Sequence, residues 1–290
     1  MVDMQVSVCI VNWNTREHLG ACLASLQQHG LGSDMEVLVV DNASSDGSAD
    51  MVREQYPWVR LYAEDENLGY AAGNNIALRE ATGQYLLLLN PDITITPGAI
   101  SALLRFLESH PQAGAVAPKL VHPDGSLQLT CRSFPDPDVI IYEALGLSRL
   151  FPRSRSFGKY RMSWWDYTDM RTVDQPMASA LLLLRDALDE IGLMDESFPI
   201  FFNDVDLCRR LWDAGWEVWF TPETSMVHEG GASTRQVRRQ MIRESHLSLL
   251  RYYRKHYRGR LCPVVYGVAV STIWLGMQAR IAASALAGRR

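Results

Sequence analysis

A chain of 290 residues has room for one large α/β domain with an appendage, or for two small domains. With 47% hydrophobic and 21% charged residues it is neither disordered nor fibrous, and a net charge of −5 argues against nucleic acid as a partner. Five cysteines (Cys9, Cys22, Cys131, Cys208, Cys262) fall without paired spacing, which excludes a disulfide framework or a cysteine metal cluster and leaves free thiols in a reducing compartment.

The chain runs from Met1 directly into "VSVCIVNW" (6–13), a short β-branched apolar run that reads as a buried parallel strand, so no secretory signal is expected. In "TREHLGACLASLQQHG", Leu19, Cys22, Leu23 and Leu26 recur at helical spacing, with Thr15 as N-cap and Gly30 as stop. "MEVLVVDNASSDGS" is a second buried strand ending in a polar turn, "SADMVREQY" a helix, "VRLYAED" a third strand and "YAAGNNIALREATG" a helix ending at Gly83. "QYLLLLNPDITI" is a further buried strand that ends by presenting Asn90 and Asp92. Strands separated by helices imply a parallel sheet with right-handed crossovers, and ligands of such sheets bind beyond the carboxyl ends of the strands. Polar residues collect at those ends: Asn12 and Asn14, Asp41 and Asn42, Glu66 and Asn67, Asn90 and Asp92. Each alone reads as turn or cap chemistry; four strand ends together favour a site.

From about Pro118 the pattern is less regular. "KLVHPDGSLQLT" reads as a hairpin, and 131–172 as an Arg- and aromatic-rich insert with a short helix around 140–147. "PMASALLLLRDALDEIG" reads as a strand running into a short helix, "DVDLCRRLWDAG" as a helix and "WEVWFTP" as a closing strand. Between Arg235 and Arg260 there are nine Arg or Lys and one acid, Glu244, interleaved with Leu247, Leu249, Leu250, Tyr252, Tyr253 and Tyr257. The uncharged run 263–279 follows, near the lower length limit for spanning a bilayer. Two readings stay open for this end: an anchor on an anionic membrane surface, or a helical hairpin packed on the domain or on a second copy in a homo-oligomer. The expected division is a domain over 1–231, with halves 1–117 and 118–231, followed by C-terminal helices over 232–290.

Four features bear chemistry: Asp92 and Asp41 at strand tips, Asp204 and Asp206 at a helix entrance in "FFNDVDLCRR", and His228 in "SMVHEGGAST". Together they offer carboxylates and an imidazole suited to a divalent cation and a base; Mg²⁺ takes few protein ligands, and Mn²⁺ accepts His more readily. Neither GxGxxG after the first strand nor GxxxxGK[ST] occurs, which excludes a dinucleotide oxidoreductase and a P-loop hydrolase.

"VSVCIVNWN", "VLVVDNASSDGS", "ENLGYAAGNNIAL", "YLLLLNPDI", "FFNDVDLCRR" and "VHEGGAS" resemble, in order, the motifs of the GT-A-fold family 2 glycosyltransferases, most of all their rhamnosyltransferase-like branch. The resemblance implies a GT-A, Rossmann-like, mostly parallel sheet with helices on both faces, plus a C-terminal helical extension. It implies inverting sugar transfer from a nucleotide-sugar donor, dTDP-L-rhamnose first and UDP-hexoses next, to a saccharide or lipid-linked acceptor at the cytoplasmic face of the cell membrane. "NPD" is similar to the family's Asp-X-Asp motif, with Asn90 in place of the first acid. Asp92 then matches the carboxylate that binds Mg²⁺ or Mn²⁺, and His228 the position that completes coordination. By the same resemblance Val11, Trp13, Asn14, Asp41, Asn67, Gly69, Gly73, Asn74 and Asn90 border the donor. Asp204 is the base, in an Asn203-Asp204 pair where the family has Glu-Asp. Asp206 is expected to cap its helix or pair with Arg209 or Arg210. The other reading is a non-catalytic nucleotide-sugar-binding subunit, supported by the missing acids at Asn90 and Asn203.

Overall fold

The computed structural model describes residues 5–30, 32, 34–230 and 238–287. Strands β1 (Val6–Asn12), β2 (Met35–Asp41), β3 (Arg60–Ala63) and β4 (Tyr85–Leu89) are parallel, in the order β3-β2-β1-β4. Helices α1 (Arg16–His29), α2 (Ser48–Gln55) and α3 (Tyr70–Glu80) connect them. Beyond β4 come β5 (Ile93–Thr94), α4 (Ala99–Ser109) and β6 (Ala113–Val121). The insert follows as β7 (Cys131–Arg132), α5 (Pro137–Ala144), α6 (Leu147–Leu150) and β8 (Arg171–Thr172). The chain continues through β9 (Gln175–Pro176), β10 (Ala180–Leu184), α7 (Arg185–Ile191), α8 (Asn203–Asp213) and β11 (Glu217–His228), and ends in α9 (Arg238–His256) and α10 (Pro263–Ala287).

The sheet extends as β4-β10-β6-β11-β5, with β8 on β11. β10 is antiparallel to both neighbours and β5 is antiparallel to β11, so the sheet is mixed. Alternating side chains build a core on each face. Val8, Ile10, Val37 and Val39 belong to the core that α1, α2 and α4 cover, whereas Cys9, Val11, Leu38 and Val40 pack under α3, in the core that α8, α9 and α10 complete on the other face. This is the expected Rossmann-like α/β layering, with helices on both faces and a C-terminal helical extension.

Several local expectations change. Thr15 precedes α1, but its hydroxyl donates to Asn12 Oδ1 (2.6 Å) instead of capping an amide. The expected hairpin after β6 shrinks to one bridge, Val121 to Leu127, beside the Gln128 amide donating to the Leu120 carbonyl (3.0 Å), on the edge that β10 leaves open by pairing only with Ala115 and Val116. β11 does not close near residue 222 but runs on to His228, with its ladder to β6 broken between Thr221 and Ser225, around Pro222, which has no amide to donate. α4 and the start of β6 fill the interval 96–117, for which the pattern carried no expectation. The division at 117/118 falls inside β6, so the two halves share one sheet. The division at 231/232, the end of the "VHEGGAS" motif and Arg235 lie outside the described residues.

The aromatic side of α9 faces protein. Tyr252, Tyr253 and Tyr257 are buried; Tyr253 Oη donates to the Pro135 carbonyl (2.7 Å) and Tyr257 Oη to Asp136 (2.6 Å). Behind them Asp206, fully buried on α8, meets Lys255 Nζ (2.7 Å) and His256 Nε2 (2.7 Å) through one oxygen and Arg210 Nε (2.9 Å) through the other. Arg210 in turn donates to the carbonyls of Ile191, Gly192 and Leu193. Burial alone would raise the Asp206 carboxyl; the bonds from His256 and Lys255 and the charge of Arg210 outweigh it and hold the carboxyl below its ordinary value.

Asp206→Asn leaves this cluster without its acid and should cost about 3 kcal/mol in urea unfolding at neutral pH. Because the folded pKa lies below the unfolded one, the contribution is complete above the ordinary carboxylate pKa of about 3.9 and is lost as pH falls through the lowered folded value. The variant should lack that part of the acid destabilisation.

Candidate active site

Register sets the first part of the site. Asn12 and Asp41 are matched last residues of β1 and β2, so their side chains lie side by side. Asn12 Nδ2 donates to Asp41 Oδ1 (2.8 Å) and the Ser44 amide to Oδ2 (2.9 Å), with Asp41 only 2% exposed. Asn14 takes a left-handed backbone (φ 52°), which Asn tolerates. Its Oδ1 accepts from the Ser45 amide (2.8 Å), stitching the turn after β1 to the turn after β2. Trp13 is half-buried between buried Asn12 and half-buried Asn14, and Val11 is buried just below.

The loop before α3 closes over this edge. Asn42 Nδ2 donates to the Gly69 carbonyl (3.0 Å), and Asn67 Oδ1 accepts from the Gly69 amide (2.9 Å). Gly69 is at φ 87°, and a Cβ there would meet the Pro199 carbonyl oxygen at 2.9 Å. Gly73 is where α3 touches β1: a Cβ would stand 2.8 Å from Val11 Cγ1. Asn74 is fully buried, with Nδ2 donating to the Tyr70 carbonyl (2.9 Å). Gly73 and Asn74 therefore sit in the packing beneath the loop, while Asn67 and Gly69 form the loop itself.

The second part of the site is made by β5. Its pairing sets Ile93 opposite His228, and Asp92 falls beside the imidazole: Asp92 Oδ1 and His228 Nε2 are 3.3 Å apart, at 8% and 4% exposure. Burial would raise the Asp92 carboxyl; His228, by hydrogen bond and by charge, outweighs it and lowers it. Gln128 orients the ring. Its Nε2 donates to the His228 carbonyl (2.6 Å), an acceptor only, so its Oε1 is the atom facing Nδ1 (2.8 Å) and Nδ1 carries a proton. Nε2 is then turned towards the carboxylate. A carboxylate oxygen and an imidazole nitrogen, nearly dry and within reach of one ion, suit a divalent cation that takes few protein ligands and accepts imidazole. No cluster of three or more His, Cys, Asp or Glu fit to hold a metal occurs among the described residues, so other coordination positions would fall to water or substrate oxygens. Asn90 is tied instead to the neighbouring segment, its amide to the Ser179 carbonyl (2.8 Å) and its Nδ2 to Ser179 Oγ (3.2 Å).

The third part is the entrance of α8. Phe202 precedes it in the left-handed region (φ 68°), a strained backbone for a bulky residue that marks a constrained position. Asn203 Nδ2 donates to the carbonyls of Ile200 (2.9 Å) and Phe198 (3.3 Å), bonds that a carboxylate could not make. Asp204 is partly exposed, and its Oδ1 accepts from the Val205 amide (2.9 Å). Desolvation raises its carboxyl above the ordinary value, opposed by the amides of Val205 and Ala178 and by the charge of Arg132. Tyr70 Oη donates to the Ala178 carbonyl (3.0 Å), and burial together with the Asp204 charge pushes its phenol up.

The segment from Ala178 to Ser179 thus touches both sides: Asn90, two residues before Asp92, bonds to Ser179, and Asp204 lies against the Ala178 amide. Sequence reasoning brought Asp41, Asp92, Asp204 and His228 to one edge. It named Asn42 only as a polar strand-end residue and missed Ser44, Tyr70, Gln128 and Ser179, which hold those residues. Asn42 and Ser44 stand in a motif already quoted; Gln128 pairs with His228 across 100 residues and carries no local signal.

Residues 7–172 match the family model of glycosyl transferase family 2. An N-acetylglucosaminyl-diphospho-decaprenol L-rhamnosyltransferase of Mycobacterium tuberculosis is 33% identical over 245 residues, spanning 81% of this chain and 78% of its own. A low-salt glycan biosynthesis hexosyltransferase of Haloferax volcanii is 24% identical over 219 residues, 72% and 62% of the two chains. Among solved structures, a mannosyltransferase from Pyrobaculum calidifontis in complex with GDP-Man and Mn²⁺ is similar with a TM-score of 0.60 at 19% identity, covering 96% of this chain and 75% of that one. TarS of S. aureus is similar with a TM-score of 0.55 at 15% identity, covering 93% and 71%. The fold is GT-A.

Gln128→Leu removes the acceptor that fixes the His228 ring. Mn²⁺ affinity, measured by calorimetry on the folded protein, should fall at least about tenfold, the usual cost of losing the hydrogen-bond partner of a metal-ligating His.

Proposed function

The chain belongs to glycosyl transferase family 2, and from that membership we propose that it moves a sugar, with inversion, from a nucleotide-diphosphate donor to a saccharide or lipid-linked acceptor. The favoured donor is dTDP-L-rhamnose, with UDP-hexoses next. The support for rhamnose and for a lipid-linked acceptor is the decaprenol-linked rhamnosyltransferase relative. We assign a peripheral position at the cytoplasmic face of the membrane.

The observation that carries the proposal is the short segment Ala178–Ser179, which bonds to Asn90, two residues before Asp92 of the Asp92–His228 pair, and whose Ala178 amide lies against Asp204. Asp92 and His228 would hold a divalent cation, and that ion would supply positive charge where the leaving diphosphate gathers negative charge. Asp41, Asn14, Val11 and Trp13 would hold the nucleoside, with Asn67 and Gly69 over it; Gly73 and Asn74 act through packing. Asp204 would accept the proton of the acceptor hydroxyl as that oxygen attacks the anomeric carbon from the face opposite the diphosphate. A raised carboxyl is the stronger base, and Asp204 is raised by its surroundings.

A non-catalytic binding subunit rested on Asn90 and Asn203 as lost acids. Asn203 donates to two carbonyls and Asn90 to Ser179, so each amide has a structural reason to be where it is.

Asp204→Asn should lower kcat by about 10²- to 10⁴-fold while donor binding, followed by calorimetry, stays within a few-fold. In the wild type, kcat/KM should rise with pH through a pKa above the ordinary Asp range, because the base works only when deprotonated and its folded pKa is raised. Retained turnover in Asp204→Asn would remove Asp204 as the base.

A further inference from the structure

The described surface holds an apolar strip that no other element covers. On the insert, Leu145 (66% exposed) ends α5, and Leu150 (70%) with Phe151 ends α6. On α10, Val264 (74%), Trp274 and Leu275 are exposed. The three elements are neighbours, since α6 packs on α5 and α5 packs on α10. The inner faces are satisfied: Val139 and Ile140 of α5, and Ala269, Ile273 and Met277 of α10, are buried. α10 is long and apolar enough to cross a bilayer by length and composition, its 22-residue stretch Pro263–Ser284 holding an 18-residue window of mean hydropathy 1.3. Yet one of its faces is committed to protein, which leaves the opposite face for any other medium.

Charge selects the occupant. The exposed pair Leu150-Phe151 stands between Arg149 and Arg153, both exposed, and Arg258 is exposed in the turn leading to α10. None of the three pairs with an acid among the described residues. In a chain of net charge −5, a stripe of exposed aliphatic and aromatic side chains edged by unpaired guanidinium groups complements an anionic lipid surface.

We propose that α6, with the outer faces of α5 and α10, lies on an anionic bilayer, Leu150 and Phe151 entering the headgroup boundary and Arg149 and Arg153 meeting lipid phosphates. The insert is then a membrane limb in its own right beside α10. The inference rests on the proposed peripheral location only for the presence of a membrane; it does not depend on the donor or on the base. Leu150 and Phe151 are outside the donor site, so their replacement leaves donor binding intact.

The test is co-sedimentation of the full chain with vesicles of pure phosphatidylcholine and of phosphatidylcholine mixed with phosphatidylglycerol, which gives an anionic surface, with sedimentation velocity in lipid-free buffer beside it. Expected is binding to the anionic vesicles that falls at least about tenfold in Leu150→Asp/Phe151→Asp and in Arg149→Glu/Arg153→Glu, with donor affinity unchanged. Binding that survives in both insert variants but is lost in Val264→Asp/Leu275→Asp overturns the insert as a membrane limb and leaves the peripheral location standing. No binding by the wild type overturns both. A lipid-free dimer that Leu150→Asp/Phe151→Asp dissociates overturns the lipid as occupant in favour of a second copy of the chain.

Discussion

Two residues of strand decide whether this molecule has a metal-capable centre. β5 spans only Ile93 and Thr94, yet its antiparallel pairing with the end of β11 sets Asp92 beside His228 across more than 130 residues of chain. β11 reaches that point because its ladder to β6 resumes at Ser225 after the break around Pro222. A buried carboxylate is costly unless it is compensated, and here the compensation is an imidazole whose ring Gln128 fixes from the other side. The pairing of β5, the length of β11 and the turn carrying Gln128 therefore form one unit, and disturbing any of them disturbs the centre.

A second buried carboxylate ties the C-terminal helices to the same edge. Asp206 sits two residues after Asp204 on α8 and receives Lys255 and His256 from α9. Tyr252 stacks obliquely on Phe202, the left-handed residue at the entrance of α8, at 5.8 Å between ring centres. α9 is thus a wall behind the proposed base, not a free arm, and the surface it leaves open belongs to α10 and the insert.

Much of this was legible in the sequence. Runs such as "VSVCIVNW" and "MEVLVV" are short, β-branched and unbroken, and a fully buried parallel strand leaves just that mark. The strand tips followed, because a parallel sheet delivers its carboxyl ends to one edge. What was not legible depends on distant pairing. Nothing local says that β10 enters antiparallel between β4 and β6, that the hairpin after β6 would keep only one bridge, or that Gln128 would reach His228. The basic and aromatic pattern of α9 reads alike for a membrane anchor and for a packed helix, since Tyr and Arg serve both; only the burial of Tyr252 and Tyr253 distinguishes them. Asn203 read as a missing acid because its role is to donate to carbonyls of the preceding loop, contacts that no motif records.

The most direct measurement is calorimetric titration of the full chain with dTDP-rhamnose, UDP-glucose, UDP-galactose and GDP-mannose, each with and without Mn²⁺. Binding of one donor, dTDP-rhamnose first, that strengthens when Mn²⁺ is present is the expected result, since Asp92 and His228 would grip the diphosphate through the ion. Binding of no donor by the folded protein, or of one donor equally with and without metal, would contradict a metal-assisted donor site at this edge of the sheet.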